Sequence, residues 1–265
     1  MKNAKTLVLR TAGTNCDRET AYAFEKAGSV TDLIHINRLI GKKDLLSRYH
    51  ILAIPGGFTY GDDVASGKIL ANELRFSLKE QINAFVRGGK LIIGICNGFQ
   101  VLVKMGLLPG ITGSLNVEAT LGLNDNGVFT AKWIHLKTAP EKTHCVWAKG
   151  LPGILDMPIA HAEGKFIPRT GSVLKRLRDN GQIVFRYTDS SGTAAGPPYN
   201  PNGSVDDIAG ICDPTGRILG MMPHPERHIT PLHHPNWRRH KGEGDKLGTG
   251  MQIFRNGVKY IKDNF

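Results

Sequence analysis

The stretch "LIIGICNGFQVLVKMG", residues 91–106, changes character at a single cysteine. A continuous apolar run enters at 91–95, the pattern of a strand buried on both faces. An amphipathic stretch leaves it. Between them Gly94-Ile95-Cys96-Asn97-Gly98 has the G-x-nucleophile-x-G form of a strand-to-helix elbow. On so tight a turn the central residue takes a strained backbone, and the positions two away must approach closely without side chains. The thiol then projects above the carboxyl end of a parallel sheet, where open α/β folds bind ligands. It also sits at a helix N-terminus, whose unpaired amides favour an anion. The plain alternative is a small buried residue in a βα turn.

Working outward from the elbow, "TLVLR" (6–10), "TDLIHI" (31–36) and "HILAIPGG" (50–57) read as further buried strands. The segment "GTNCDRETAYAFEKAG" is a turn and then a helix, with Asp17 and Glu19 near its start and Gly28 at its end. Ile69, Leu70, Leu74, Leu78, Ile82, Phe85 and Val86 recur at helical spacing, which predicts one long helix over about 65–87. This alternation predicts an α/β fold with a central, mostly parallel sheet flanked by helices. Beyond about residue 110 the segments "GVFTAKWIHLKT", "THCVWA", "MPIAHAEG", "QIVFRYTD", "DIAGICD" and "ILGMMPHPE" read as shorter strands, a β-rich second half. "TGMQIFRNGVKYIKDNF" (249–265) closes as a helix. No Pro-rich linker or charged tract divides the chain, so residues 1–265 are taken as one domain.

Three further features bear on Cys96. In "PHPE" (223–226) two prolines disfavour a helix, and in an extended chain His224 and Glu226 face the same side. Glu226 then holds the tautomer of His224 while the other ring nitrogen faces a thiol, the relation of nucleophile, base and orienting acid. In "PGGFTYGDD" (55–63) Gly56 and Gly57 leave backbone amides uncovered, and the amides of Gly57 and Asn97 are candidates for an oxyanion hole. Gln100, one helical turn after Cys96, offers a neutral amide to a polar substrate. Each feature has an ordinary reading as well: a surface turn, a glycine loop, a solvated glutamine.

The remaining composition excludes more than it suggests. No run of about 18 apolar residues predicts a membrane span, and "MKNAKTLVLR" lacks the features of a signal peptide, which predicts a cytoplasmic protein. Cys16, Cys96, Cys145 and Cys212 form no C-x-x-C pair and are expected to be free thiols; a buried cysteine near a βα turn, such as Cys16, is usually inert, and the sequence assigns it no role beyond local packing. The sequon Asn202-Gly203-Ser204 is then only a turn. The net charge of +11 is dispersed except at Arg238-Arg239-His240-Lys241, and no nucleic-acid motif accompanies it. "GDDVASGKI" (61–69) misses the phosphate-loop pattern: five residues separate Gly61 from Gly67, and Ile69 replaces the magnesium-binding hydroxyl. His224, His228, His233, His234 and His240 lack the H-E-x-x-H spacing of a metal site, so no metal is expected.

Taken together, these residues resemble the class I (triad) glutamine amidotransferases, and more narrowly the glutaminase subunits of phosphoribosylformylglycinamidine synthase. The matching stretches are "VLRTAGTNCDRET" (8–20), "PGGFTYGDDVASGKILA" (55–71), "GICNGFQVL" (94–102), "PIAHAEGKF" (158–166), "NPNGS" (200–204), "IAGICDPTGRILGMMPHPERH" (208–228) and "IFRNGVKY" (253–260). Two points depart from the pattern: Ala162 stands where the family usually has glycine, and the segment of about 229–250 is long. The resemblance implies a flavodoxin-like fold, with Cys96, His224 and Glu226 catalytic, Gly57 and Asn97 at the oxyanion, and Gly56, Phe58 and Gln100 at the glutamine. It implies no cofactor in this chain. ATP and magnesium would belong to a large synthetase partner, joined by a small accessory subunit, which converts formylglycinamide ribonucleotide to the amidine. It implies neither a nucleic-acid nor a membrane partner. Two rivals remain at this level: a stand-alone cysteine hydrolase, and a catalytically idle scaffold on the same fold.

Overall fold

The computed structural model of the chain describes residues 3–113, 115–138, 143–239 and 247–265. The first half runs β1 (Lys5–Arg10), α1 (Asp17–Lys26), β2 (Val30–His35), α2 (Ile36–Gly41), β3 (Ile51–Ile54), α3 (Lys68–Ser77), α4 (Lys79–Arg87), β4 (Leu91–Ile95) and α5 (Asn97–Lys104). The second half adds β5 (Ala119–Gly122), β6 (Thr130–Thr138), β7 (Ile154–His161), β8 (Lys165–Pro168), α6 (Gly171–Asp179), β9 (Ile183–Thr188), β10 (Ile208–Cys212), β11 (Ile218–Met221) and α7 (Met251–Asn264). Nine strands form one sheet in the order β2-β1-β3-β4-β11-β10-β9-β6-β7, while β5 and β8 pair separately. The five strands from β2 to β11 are parallel to their neighbours. From β11 to β7 every pairing is antiparallel. The expected α/β sheet and most of the β-rich second half therefore form one continuous nine-stranded sheet, with β5 and β8 paired apart from it.

Burial explains which segments became which strands. β3, β4 and β11 are buried at every position, so "ILAI", "LIIGI" and "ILGM" are apolar throughout. β7 alternates half-buried and buried residues, because one face of the antiparallel extension is less covered.

Two expectations are corrected. The helix predicted over 65–87 is two helices, α3 and α4, meeting at Leu78, whose φ of −128° and ψ of 17° lie outside the helical region. Leu70, Leu74, Leu78, Ile82 and Phe85 are all buried nonetheless. A break that keeps the apolar face in register leaves no trace in the periodicity. "THCVWA" is not a strand but holds a 3-10 turn, Val146–Ala148. Its apolar character serves Trp147, fully buried against α7, where a Cβ on Gly257 would stand 2.4 Å from the indole. The short elements α2, β5 and β8 carry too little periodicity to be read ahead of the structure, whereas α6, capped by Thr170 and burying Val173 and Leu177 four residues apart, carries a signal that the sequence reading passed over.

The register of β3, β4 and β11 positions everything that follows. Ile54 and Gly220 both pair with Gly94, and Met221 pairs with Ile95, so three strands end side by side. The loops beginning at residues 55, 96 and 222 leave the sheet together. The elbow glycines make this possible: a Cβ on Gly98 would lie 1.8 Å from the Ile54 carbonyl oxygen, and one on Gly94 would lie 2.5 Å from the Gly98 oxygen. Gly98→Ala is therefore expected to destabilise the fold by about 3 kcal/mol, the upper end of overpacking costs. Gly171→Ala, with nothing within 4 Å of the added Cβ, should shift stability by less than about 0.5 kcal/mol. Urea denaturation midpoints of the two variants check the contrast.

Candidate active site

Cys96 occupies the turn between β4 and α5 with φ 51° and ψ −105°, a left-handed conformation that a non-glycine residue adopts only under constraint. Its amide donates to the Met221 oxygen at 2.7 Å, which ties the elbow to β11. Its oxygen accepts from the amides of Phe99 and Gln100, which starts the helix. The Sγ lies 3.6 Å from the Ala160 oxygen of β7. Cys96 is buried, yet it lines a cavity of about 220 Å³ shared with Cys16, Gly57, Phe58, Phe129, His224 and Arg227.

His224 follows β11 and is held by its amide, which donates to the Pro158 oxygen at 2.9 Å. Its Nδ1 stands 2.6 Å from Glu226 Oε1, and both residues are 2% exposed. The contact differs from the expected extended geometry: His224 precedes a 3-10 turn, Pro225–Arg227, and the turn brings Glu226 back to the ring. Proline at the first position of the turn presets that curvature. With Nδ1–H given to Glu226, the ring presents Nε2, which makes no hydrogen bond of normal length among the described residues. Burial pushes the His224 imidazole down, but the charge of Glu226 and then of Cys96 outweighs it, and its pKa stands well above the ordinary value. A thiol, an imidazole and an orienting carboxylate are thus assembled from strands β4 and β11.

Gly56 leaves the space between these groups open. A Cβ there would meet His224 Cε1 at 2.8 Å, Cys16 Sγ at 3.1 Å and Cys96 Cβ at 3.4 Å. Gly57 has φ +138° and would drive a Cβ to 2.7 Å from the Asn15 amide nitrogen. Loop 13–16 closes on this segment through Cys16 N to Gly56 O at 3.2 Å and Phe58 N to Gly13 O at 2.9 Å. The amides of Gly57 and Asn97 make no hydrogen bond among the described residues, which leaves two donors beside the sulfur. The Asn97 side chain is fully engaged: Oδ1 accepts from Thr59 Oγ1 at 2.7 Å, and Nδ2 donates to Asp62 and to Gln100 Oε1, each at 2.9 Å. Gln100 is buried, and its amide also donates to the Glu163 oxygen, so it braces the wall behind Asn97. Phe58 lies at the mouth, its ring centroid 6.1 Å from that of Phe129.

Other neighbours were not legible as site residues. Cys16, to which the sequence assigns no role beyond local packing, sits in the cavity wall with Sγ 4.0 Å from His224 Nδ1, and Arg227 Nη2 donates to that sulfur at 3.1 Å. Burial pushes the Cys16 thiol up to about 11, against a lowering contact with His224. Arg227 also binds Glu19 at 2.8 Å, so the turn bearing Glu226 is anchored to the first turn of α1. A second buried imidazole, His161, sets Nδ1 3.1 Å from Asn124 Oδ1. Burial and then the charge of His224 push it down to about 4. Asn202 of the sequon is buried, its amide donating to the Gly164 oxygen at 2.9 Å, as a structural turn requires. Among the described residues the other histidines do not join His224: His228 bonds the Asp156 oxygen at 2.8 Å and His234 lies 3.8 Å from the Asp156 carboxylate; His240 is outside the described residues. Among the described residues, one group of ligand-type atoms converges: Cys16, His224 and Glu226, all within 4.8 Å of one another.

Residues 3–261 match the CobB/CobQ-like glutamine amidotransferase domain. The phosphoribosylformylglycinamidine synthase subunit PurQ of Dehalococcoides mccartyi is 47% identical over 265 residues, covering 99% of each chain. That of Methanococcus maripaludis is 43% identical and covers 97% of each. Among solved structures, a chain of PurLQS from Thermotoga maritima superposes with a TM-score of 0.72 at 28% identity, covering 98% of this chain and all of the other.

Gly56→Ala should push the His224 ring aside and slow iodoacetamide alkylation of Cys96 by about 10²-fold, the scale of a 1 Å misplacement, with the far-ultraviolet circular dichroism unchanged. His161 predicts a pH effect. Its folded pKa of about 4 lies below the unfolded value of about 6.5, so the unfolded state binds more protons between them and stability falls as pH drops through that window. The urea midpoint of His161→Asn should fall less steeply over the same range than that of the parent.

Proposed function

The chain belongs to the family of CobB/CobQ-like glutamine amidotransferase domains, and from that membership we infer that it hydrolyses glutamine to glutamate and ammonia for de novo purine biosynthesis. Its relatives carry the name of phosphoribosylformylglycinamidine synthase subunits over nearly their whole length. The ammonia goes to a large synthetase subunit, which converts formylglycinamide ribonucleotide to formylglycinamidine ribonucleotide with ATP; the Thermotoga maritima PurLQS structure is of such an assembly by its name. The observation that carries the reaction is the buried His224–Glu226 contact of 2.6 Å beside a cysteine on a left-handed elbow.

Cys96 sulfur attacks the side-chain amide carbon of glutamine, and the thiol proton resides on His224 Nε2. Glu226 holds Nδ1–H and stabilises the imidazolium. The carbonyl oxygen, now an anion, is met by the amides of Gly57 and Asn97; removing one such donor costs about 10²–10³ in rate. Gly56 and Phe58 bound the amide group, and Gln100 acts through Asn97 by fixing the first turn of α5. His224 returns its proton to the leaving nitrogen, and neutral ammonia departs. Water, deprotonated by the same ring, cleaves the thioester and releases glutamate. This chain uses no metal or cofactor of its own in that sequence, since each proton transfer has a side chain to serve it; ATP and magnesium act in the partner. No helix among the described residues is long and apolar enough to cross a membrane, and we place the chain, as a single domain, in the cytoplasm.

Reconstituted with its synthetase partner, Cys96→Ala should lose glutamine-dependent amidine formation while keeping synthesis from added ammonia. Loss of both activities in an intact complex would overturn the assignment.

A further inference from the structure

The glutaminase chemistry leaves two buried atoms unused. Cys16 Sγ faces the triad without a role in it, and Glu226 Oε2 is buried with no hydrogen-bond partner among the described residues. We propose that Cys16, His224 and Glu226 form an inhibitory site for a thiophilic divalent cation, of which zinc is the natural example.

Three observations support it. The ligand-type atoms of the three residues lie within 4.8 Å of one another, with Cys16 Sγ and His224 Nδ1 4.0 Å apart. A tetrahedral zinc with bonds of about 2.0–2.3 Å holds its ligands roughly 3.5 Å apart, so small side-chain shifts would close the set. The Glu226 side chain is fully buried, and a carboxylate oxygen that no donor meets is a vacancy that a cation fills. Cys16 and His224 both line the cavity of about 220 Å³ that Cys96 also lines, which gives the cation a route to two of its three ligands. One contact opposes binding: the Arg227 guanidinium on Cys16 Sγ. It must give up that hydrogen bond while keeping Glu19, which makes the site one for reversible occupation.

The chemistry of inhibition follows from the ring. The cation displaces the proton of Cys16, which leaves, and takes the place of the His224 Nδ1 proton, which moves to Nε2, so one proton leaves. The charges of thiolate and carboxylate then balance the dication. An imidazole bound through Nδ1 carries its remaining proton on Nε2. It can no longer accept a proton from Cys96, and the nucleophile is disarmed without being touched.

The inhibition rests on the glutaminase reading, whereas the binding does not. In the chelator-treated full chain, cobalt(II) should produce a near-ultraviolet thiolate-to-metal band that survives in Cys96→Ala and is absent from Cys16→Ser. In the complex with its synthetase partner, zinc should abolish glutamine hydrolysis, chelator should restore it, and Cys16→Ser should need about tenfold more zinc for half-inhibition. In the unmutated chain, zinc should also protect Cys16 from maleimide, read by mass spectrometry, which frees the test from any folding defect of the variant. A cobalt band that persists in Cys16→Ser, unchanged zinc sensitivity of that variant, or unprotected Cys16 would each overturn the proposal. A complex without glutaminase activity before metal is added would instead overturn the functional reading, and the cobalt spectra would still decide the site.

Discussion

Three parallel strands end in register at the middle of the sheet, and the chemistry of this chain is set by what leaves those ends. β3 delivers Gly56 and Gly57, β4 delivers Cys96, and β11 delivers His224 and Glu226. The spacing between neighbouring parallel strands, about 4.8 Å, is also the distance over which a thiol and an imidazole can meet. The approach works only because side chains are missing where backbones converge. Gly98 lies against the Ile54 carbonyl, and Gly56 leaves the central space to His224, Cys16 and Cys96. Closing those gaps would force the strands apart or the ring out of place.

The antiparallel extension is more than an elaboration of the sheet. β7 offers the Pro158 oxygen to the amide of His224 and the Ala160 oxygen to the Cys96 sulfur. Both are backbone carbonyl oxygens of one strand two residues apart, so they point to the same edge of that strand. The antiparallel half thus grips, from one side, the loops that the parallel half projects. From the other side the first turn of α1 does the same, through Glu19 and Arg227. The turn carrying Glu226 is therefore held at both edges, which a segment of three residues could not achieve by its own hydrogen bonds.

Electrostatically the site separates two imidazoles. His224 and His161 are both deeply buried, and burial alone would discharge both. A carboxylate 2.6 Å away keeps His224 ready to hold a proton, while His161 meets a neutral amide and the charge of His224, and stays uncharged. Environment, not residue type, divides the roles. The same carboxylate is costly to bury and has one oxygen left without a donor among the described residues. That oxygen and the Cys16 sulfur are the two groups on which the proposed cation site rests.

Much of this was legible in the order of residues along the chain. The apolar runs of β3, β4 and β11, the glycines around Cys96 and the prolines around His224 are local signals, because steric exclusion and fixed φ act between near neighbours. They sufficed to nominate Cys96, His224, Glu226, Gly57 and Asn97. The division of the helical stretch at Leu78 left no such signal, since the buried face continues unbroken across it, and "THCVWA" looked like a strand because Trp147 is apolar for a contact with α7 far away in sequence. Cys16 and Arg227 were silent for a related reason. They lie 211 residues apart and acquire meaning only when β1 and β11 are set in one sheet. Local sterics is written in sequence; proximity between distant segments is a product of strand order, and only the folded chain decides it.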